Sequence, residues 1–403
     1  MSDSSNRGVS RRGFVVGSAL SAMAAGVAAA LGGCSKSTSD DGKDGKPQVI
    51  TDNSKIISVT DDYKYKSFNM KPVATWTLPL GTLLFHSDGP YCAAMMAPES
   101  ARHVNTLGVL SLESGALTTL LEEPVHKSNY GFFDVRCATG IFAWVEMNFS
   151  TLAWTLYAQP LSQGTLTGKP IKIDHGNKNY EPAQFETVGS TIIWYKMPTE
   201  SGAKATEDSV CYLRGIGDTN TTEIWRSTGR FGSKPHVSDK ILTITPRVRN
   251  SEGVYYGMTA IDLANNNVKR AQLVLPSGVK PFEAVYFNDV FAFSIEQSYS
   301  DVGSLGEMGT YIGVEGGPYL SYSREPFACV CGKGTRYVVK TKSSHVIFDS
   351  KTKTYDAIAS PDRTVGFGDF PATQGKSSKF VTFSATRDAQ GIPESVTARV
   401  FEL

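Results

Sequence analysis

Beyond residue 72 the apolar residues fall in short runs, many of them alternating with polar residues. Gly, Asn, Asp and Pro collect between the runs. Alternation bounded by turn formers is the mark of a strand, and almost no stretch shows helical spacing. The most apolar strands are expected to start at Tyr91, Ile141, Ile192, Ile241, Val290, Tyr337 and Phe380. Successive starts lie 50, 51, 49, 49, 47 and 43 residues apart. A period in this range predicts a repeated supersecondary unit. Each period divides into four short strands. In the second unit these are expected at 132–138, 141–147, 154–159 and 170–174, and in the fourth at 234–238, 241–245, 255–262 and 270–275. Tight turns such as Thr139-Gly140 and Asn288-Asp289 join the first strand of a unit to the second. Such residues tolerate the positive φ that a hairpin turn requires.

Four-stranded units at this spacing resemble the blades of a β-propeller. The resemblance implies an all-β fold over residues 68–403: a seven-bladed β-propeller of four-stranded blades. Six units are complete. The seventh has strands expected at 370–373, 380–385 and 396–401 and lacks a fourth. An orphan strand at 73–78 precedes the first unit and is expected to close the last blade, which would remove two free sheet edges. A pair of β-sandwiches is the rival all-β arrangement. It would break the period at a linker, and none follows Lys71. Neither a Trp-Asp repeat nor a recurring double glycine marks a propeller subfamily.

The first 34 residues read differently. Arg11-Arg12 stands before an uncharged run, Phe14 to Leu31, rich in Ala and Gly. The run is marginal in length for a bilayer span, and its weak hydrophobicity suits a cleaved leader. It ends in Leu31-Gly32-Gly33-Cys34. The arginine pair resembles a twin-arginine (Tat) export signal, with valines at 15 and 16 where leucine and lysine are common, and the last four residues resemble a bacterial lipobox. The resemblance implies a signal peptide at 1–33, passage through the Tat translocase and a diacylglyceride on the Cys34 thiol. It places the mature protein on the extracytoplasmic face of a bacterial cell membrane. Acyl chains contribute roughly 0.8 kcal/mol per buried methylene, so stable anchoring needs more than one. Residues 34–67 are expected to form a disordered tether, because 37–46 contains no apolar residue and cannot offset ordering entropy. Ile50 and 56–59 could add a loosely attached strand.

Charge excludes one class of partner. The chain has 40 Lys and Arg against 39 Asp and Glu. Removing Arg7, Arg11, Arg12 and Asp3 with the leader leaves a balance near −1, too little basic field for nucleic acid. Five cysteines remain besides Cys34: Cys92, Cys137, Cys211, Cys329 and Cys331. An odd number frames no disulfide set, and all fall in strand-like runs where small buried thiols fit. Cys329-x-Cys331 puts two sulfurs on one strand face, a weak zinc signal without a second pair. No nucleophile elbow, P-loop, convincing dinucleotide fingerprint or metal-binding histidine motif occurs, and neither a cofactor nor a metal is expected.

The candidate chemistry is therefore positional. The innermost strands should line a central channel with His86, Asp134, Arg136, Glu186, His236, Glu283 and Asp369 as candidate ligand-binding residues. Carboxylates from different blades could bind sugar hydroxyls or act as acid and base. They could equally be hydrated wall residues, with Asp134 and Arg136 simply paired. Tyr255, Tyr256, Tyr319, Tyr322 and Trp154 lie near loops and would suit a recognition surface or blade-to-blade packing. The long polar loops 198–208 and 296–308 could bear function or hang free. The leading expectation is a lipid-anchored binding or scaffold protein presenting a propeller face to a glycan, peptide or protein. The alternatives are a carbohydrate-active enzyme using channel carboxylates and an accessory subunit of an envelope assembly complex.

Overall fold

The middle strands of the units are apolar on both faces, and the packing shows why. Seven of the eight residues of Ile141–Asn148 are buried, because a neighbouring sheet covers each side of the sheet they belong to. Outer strands such as Leu117–Leu121 have no fully buried position. This contrast makes the period visible in the sequence: strands covered on both faces read as continuous apolar runs. The computed structural model describes residues 45–100, 102–251, 253–366 and 368–403.

The described strands pair into antiparallel meanders arranged as a β-propeller. Six blades are contiguous in the chain. Their inner strands are Leu83–Phe85, Gly131–Ala138, Phe185–Val188, His236–Ser238, Glu283–Phe287 and Cys331–Lys333. The expectation of a seven-bladed propeller is corrected here to six blades. The remaining sheet is a composite built from both ends of the described chain. It has a two-residue inner strand, Phe370–Pro371, and a long hairpin of Lys379–Arg387 and Pro393–Glu402. Its outer strand, Ala74–Pro79, pairs antiparallel with Pro393–Glu402. Between sheets the core is a series of apolar seams. Ile193 and Tyr195 of the third blade meet Leu242 and Ile244 of the fourth. Ile347 and Ile358 of the sixth meet Phe380 and Phe401 of the composite sheet. Val381 and Val400 of that sheet meet Leu84 and Cys92 of the first blade, so the ring closes on itself.

Residues 45–67, expected within the disordered tether, are ordered and bound along the rim. The backbone N–H of Gln48 donates to Val274 O at 2.9 Å, on the outer strand of the fourth blade. Ile56–Ser58 adds a parallel strand to Tyr319–Tyr322 of the fifth. A short helix, Val59–Asp62, follows, capped by Ser58, whose hydroxyl accepts from Asp61 N at 3.3 Å. Lys64–Tyr65 adds a parallel strand to Thr354–Ile358 of the sixth. The strap then reaches the composite sheet as Ala74–Pro79. The correction has a physical reason. Exposed outer strands offer unpaired N–H and C=O groups, while Ile50 and Val59 bury their side chains against the seams. The signal peptide, Arg11, Arg12 and Cys34 lie outside the described residues.

Candidate functional site

Five inner strands bring polar side chains to the ring axis, and most of these partner one another. On Gly131–Ala138, Asp134 and Arg136 share a face, and Arg136 Nη1 donates to Asp134 Oδ1 at 2.5 Å. Arg136 Nε reaches Glu186 Oε1 of the third blade at 3.4 Å. The guanidinium also lies over the rings of Phe85 and Phe185, 5.2 and 5.7 Å from their centroids. On the fourth blade, His236 Nε2 is 2.5 Å from Glu283 Oε2 of the fifth. Six of the seven candidate residues thus meet: His86, Asp134, Arg136, Glu186, His236 and Glu283.

Gln374, which sequence reasoning missed, joins them. Its Nε2 donates to Glu186 Oε1 at 3.1 Å, and its Oε1 is 2.8 Å from His236 Nδ1. Its backbone N–H points to His86 Nδ1 at 3.4 Å. Gln374 lies in residues 372–378, which connect the first two strands of the composite sheet. That connection crosses the axis as a plug. Gly375–Lys376 pairs parallel with Cys331–Lys333 of the sixth blade, and Lys376 N donates to Ser238 Oγ of the fourth at 2.8 Å. Gly375 makes the approach possible. Its φ is +63°, and a Cβ there would stand 2.6 Å from Ser238 Cβ. One signal was present in the sequence: this connection is far longer than the tight turns at the same place in other units.

The electrostatics follow from burial and pairing. Burial holds the His86 imidazole down at about 3, with Arg136 and His236 adding to the effect; the ring is neutral. Burial also opposes a charged His236, but Glu283 and Glu186 outweigh it, and its pKa is raised. The hydrogen bonds agree, because both nitrogens of His236 face acceptors and must donate. Burial pushes the Glu283 carboxyl up, yet His236 outweighs it and the net shift is downward. Glu186 is raised, with burial outweighing Arg136 and His236.

Asp369 does not join the axis. It precedes the inner strand of the composite sheet and turns into the seam with the sixth blade. There it is fully buried and lies 2.5 Å from Arg399 Nη2 and 3.8 Å from His345 Nδ1. Burial raises its carboxyl against the opposing pull of Arg399. Lys340, also buried in this seam, is lowered to about 8 by burial, with Asp369 opposing.

Other expectations also change. Trp154, Tyr255, Tyr256, Tyr319 and Tyr322 are all buried: Trp154, Tyr319 and Tyr322 pack in seams between sheets, Tyr255 packs against Val248 and Val274 of its own blade, and Arg247 covers the ring of Tyr256. The five described cysteines are buried, and none forms a disulfide. Cys329 and Cys331 do not share a face. Cys329 packs in the seam between the fifth and sixth blades, and Cys331 in the next seam. Loop 296–308 is held to the rim strap, where Ser304 N donates to Ile50 O at 2.8 Å. Loop 198–208 is pinned by Glu207, which accepts from Tyr180 OH at 2.8 Å. Among the described residues no group of three or more His, Cys, Asp or Glu could hold a metal ion, and no helix is long and apolar enough to cross a membrane.

At the plug, on the side of the tight turns, lies a cavity of about 280 Å³. His86, Asp88, Ser238, Asp239, Thr373 and Gln374 line it together with aliphatic residues. It is the accessible mouth of an axis whose deeper carboxylates are already engaged.

No family model matches the chain, and no curated protein matches it. Among solved structures, the chain is similar to the β-propeller domain of the Trilobed protease from Pyrococcus furiosus, which is described as having an open velcro topology. The TM-score is 0.51 at 12% identity, covering 79% of this chain and 97% of that one. It is also similar to a structure from a study of two prolyl endopeptidases, with a TM-score of 0.52 at 11% identity. That match covers 80% of this chain and 50% of the other, so the chain spans half the length of that structure. At these identities the likeness shows the β-propeller fold alone.

Proposed function

We propose that this is a lipid-anchored extracytoplasmic binding or scaffold protein that presents a β-propeller face to a glycan, peptide or protein partner. One observation carries the reading: Asp134, Glu186 and Glu283 are each tied to a cation or amide at the axis. Acid and base catalysis needs carboxylates that face a substrate, and these face one another's partners behind a plug. What remains for function is the surface of the ring and the mouth beside the plug.

The anchor rests on Arg11-Arg12 and on Leu31-Gly32-Gly33-Cys34, which place the protein on the outer face of a bacterial cell membrane after Tat export. The rim strap tightens that geometry. Among the described residues the first ring contact is at Gly45, whose N–H donates to Gln272 Oε1 at 3.1 Å. A chain extends at most about 3.6 Å per residue, so the span from Cys34 to Gly45 is bounded near 40 Å. The ring therefore works close to the bilayer.

The test is metabolic labelling with a palmitate analogue, in wild type and Cys34→Ala, followed by membrane fractionation and affinity capture from the native envelope. Label and membrane retention should be lost together in the variant. Equal labelling of both forms would overturn the anchor. Wild-type protein that captures no envelope glycan, peptide or protein would overturn the binding role.

A further inference from the structure

We propose that the cavity beside the plug is a binding site for an uncharged sugar ring. The proposal rests on the binding role above and selects its glycan branch. The floor of the cavity is built from donors whose own acceptor atoms are used. His86 Nδ1 faces the backbone N–H of Gln374. With a neutral ring, the proton then sits on Nε2, and no acceptor meets it among the described residues. Ser238 Oγ accepts from Lys376 N at 2.8 Å, and Thr373 Oγ1 accepts from Val381 N at 2.9 Å. Each hydroxyl keeps its O–H to donate.

The rim has the opposite character. Asp88 Oδ2 accepts from Gly189 N at 3.2 Å and retains acceptor capacity. Asp239 forms an exposed ion pair with Lys376 at 2.5 Å and also retains free lone pairs. Pro90, Leu112 and Val237 supply aliphatic wall. A ligand here must accept at the floor, donate at the rim and show carbon–hydrogen surface to the sides. A hydroxyl both accepts and donates, and a sugar carries several around an aliphatic ring. An anion would face two carboxylates at the rim. A cation would meet Lys376, Lys379 and a floor made of donors. Placed polar groups beside aliphatic wall are what fix the orientation of a small ligand.

The test follows the His86 imidazole signal by NMR in full-length protein labelled with 15N-histidine. The titrants are the methyl glycosides of glucose, galactose, mannose and N-acetylglucosamine, with glucuronate as the charged control. At least one neutral glycoside should give a saturable shift. Its affinity should fall at least tenfold in Ser238→Ala and in Asp239→Asn, the exposed Asp239→Asn with an unchanged melting temperature. Glucuronate should bind at least tenfold more weakly. No saturable shift with any neutral glycoside would overturn the proposal, as would equal binding of glucuronate. Sugar binding that survives both substitutions would place the site elsewhere, overturning this pocket while leaving the binding role standing. Cys34→Ala protein should bind the sugar as wild type does, so failure of the anchor is read separately.

Discussion

His236 and Glu283, on inner strands of adjacent blades, stand 2.5 Å apart at the ring axis, with the imidazole donating. His236 is buried, Glu283 is half-buried, and the pair has a defined pH window. Glu186 and Lys234 also face His236, the first favouring its charge and the second opposing it. A histidine with a raised pKa contributes stability that is complete below its ordinary value and is lost as pH rises through the raised one. A glutamate with a lowered pKa contributes stability present above its ordinary value and lost as pH falls through the lowered one. The stability difference between wild type and His236→Gln should therefore be largest in mildly acidic solution and shrink on either side. Urea denaturation across the pH range measures it; a flat difference would contradict the pairing. Glu283→Gln, which strands a buried imidazolium, should cost about 3–5 kcal/mol.

Lys340 reverses that logic. Its ammonium is buried and its pKa is lowered to about 8, so folding penalises the charged form. The penalty is complete below pH 8 and disappears as pH rises through the ordinary lysine range. Lys340→Met should raise stability by about 1–3 kcal/mol at pH 7. The gain should fade above pH 10. Chemical denaturation at the two pH values would refute the idea if the substitution destabilises at both.

Closure of the ring depends on a strand more than 300 residues away from its partner in the chain. Leu78 of Ala74–Pro79 is 4% exposed and sits in the seam between the composite sheet and the first blade. Leu78→Ala should cost about 2–5 kcal/mol. It should also promote association through the freed edge of Pro393–Glu402. Light scattering and thermal denaturation would show both effects, and an unchanged melting temperature would sink the closure argument.

The plug offers a fourth prediction. Gly375→Ala forces a side chain into a left-handed conformation and against Ser238. It should cost about 1–3 kcal/mol and displace Gln374 from Glu186 and His236. Limited proteolysis should then cut within 372–378, where wild-type protein resists. Equal resistance would mean that the segment does not depend on this glycine.

The sequence by itself determined the all-β class, the period, the six complete units and the orphan strand that closes the ring. These are local properties. Alternation sets strand faces, turn residues set hairpins, and burial on both sides of a sheet makes its middle strands uniformly apolar. Thr139-Gly140 and Asn288-Asp289 needed no tertiary partner to be read as turns. The inner-strand polar residues were also legible one by one, because a polar residue in an apolar strand stands out.

Only the tertiary structure decided what those residues do. Gln374 meets Glu186 across 188 residues of chain and His236 across 138, and no periodicity encodes such a meeting. Asp369 occupies a position like that of its counterparts, yet it turns to Arg399 in a seam instead of the axis. The five aromatics for which both a recognition surface and packing were open went inside, since a Tyr or Trp near a loop reads the same whether a neighbouring sheet covers it or not. The rim strap was legible only as a loosely attached strand at 56–59, where Ile56–Ser58 now pairs with the fifth blade; the rest was hidden for a related reason. Its polar residues suit solvent, and its order comes from outer-strand edges that exist only once the ring has formed.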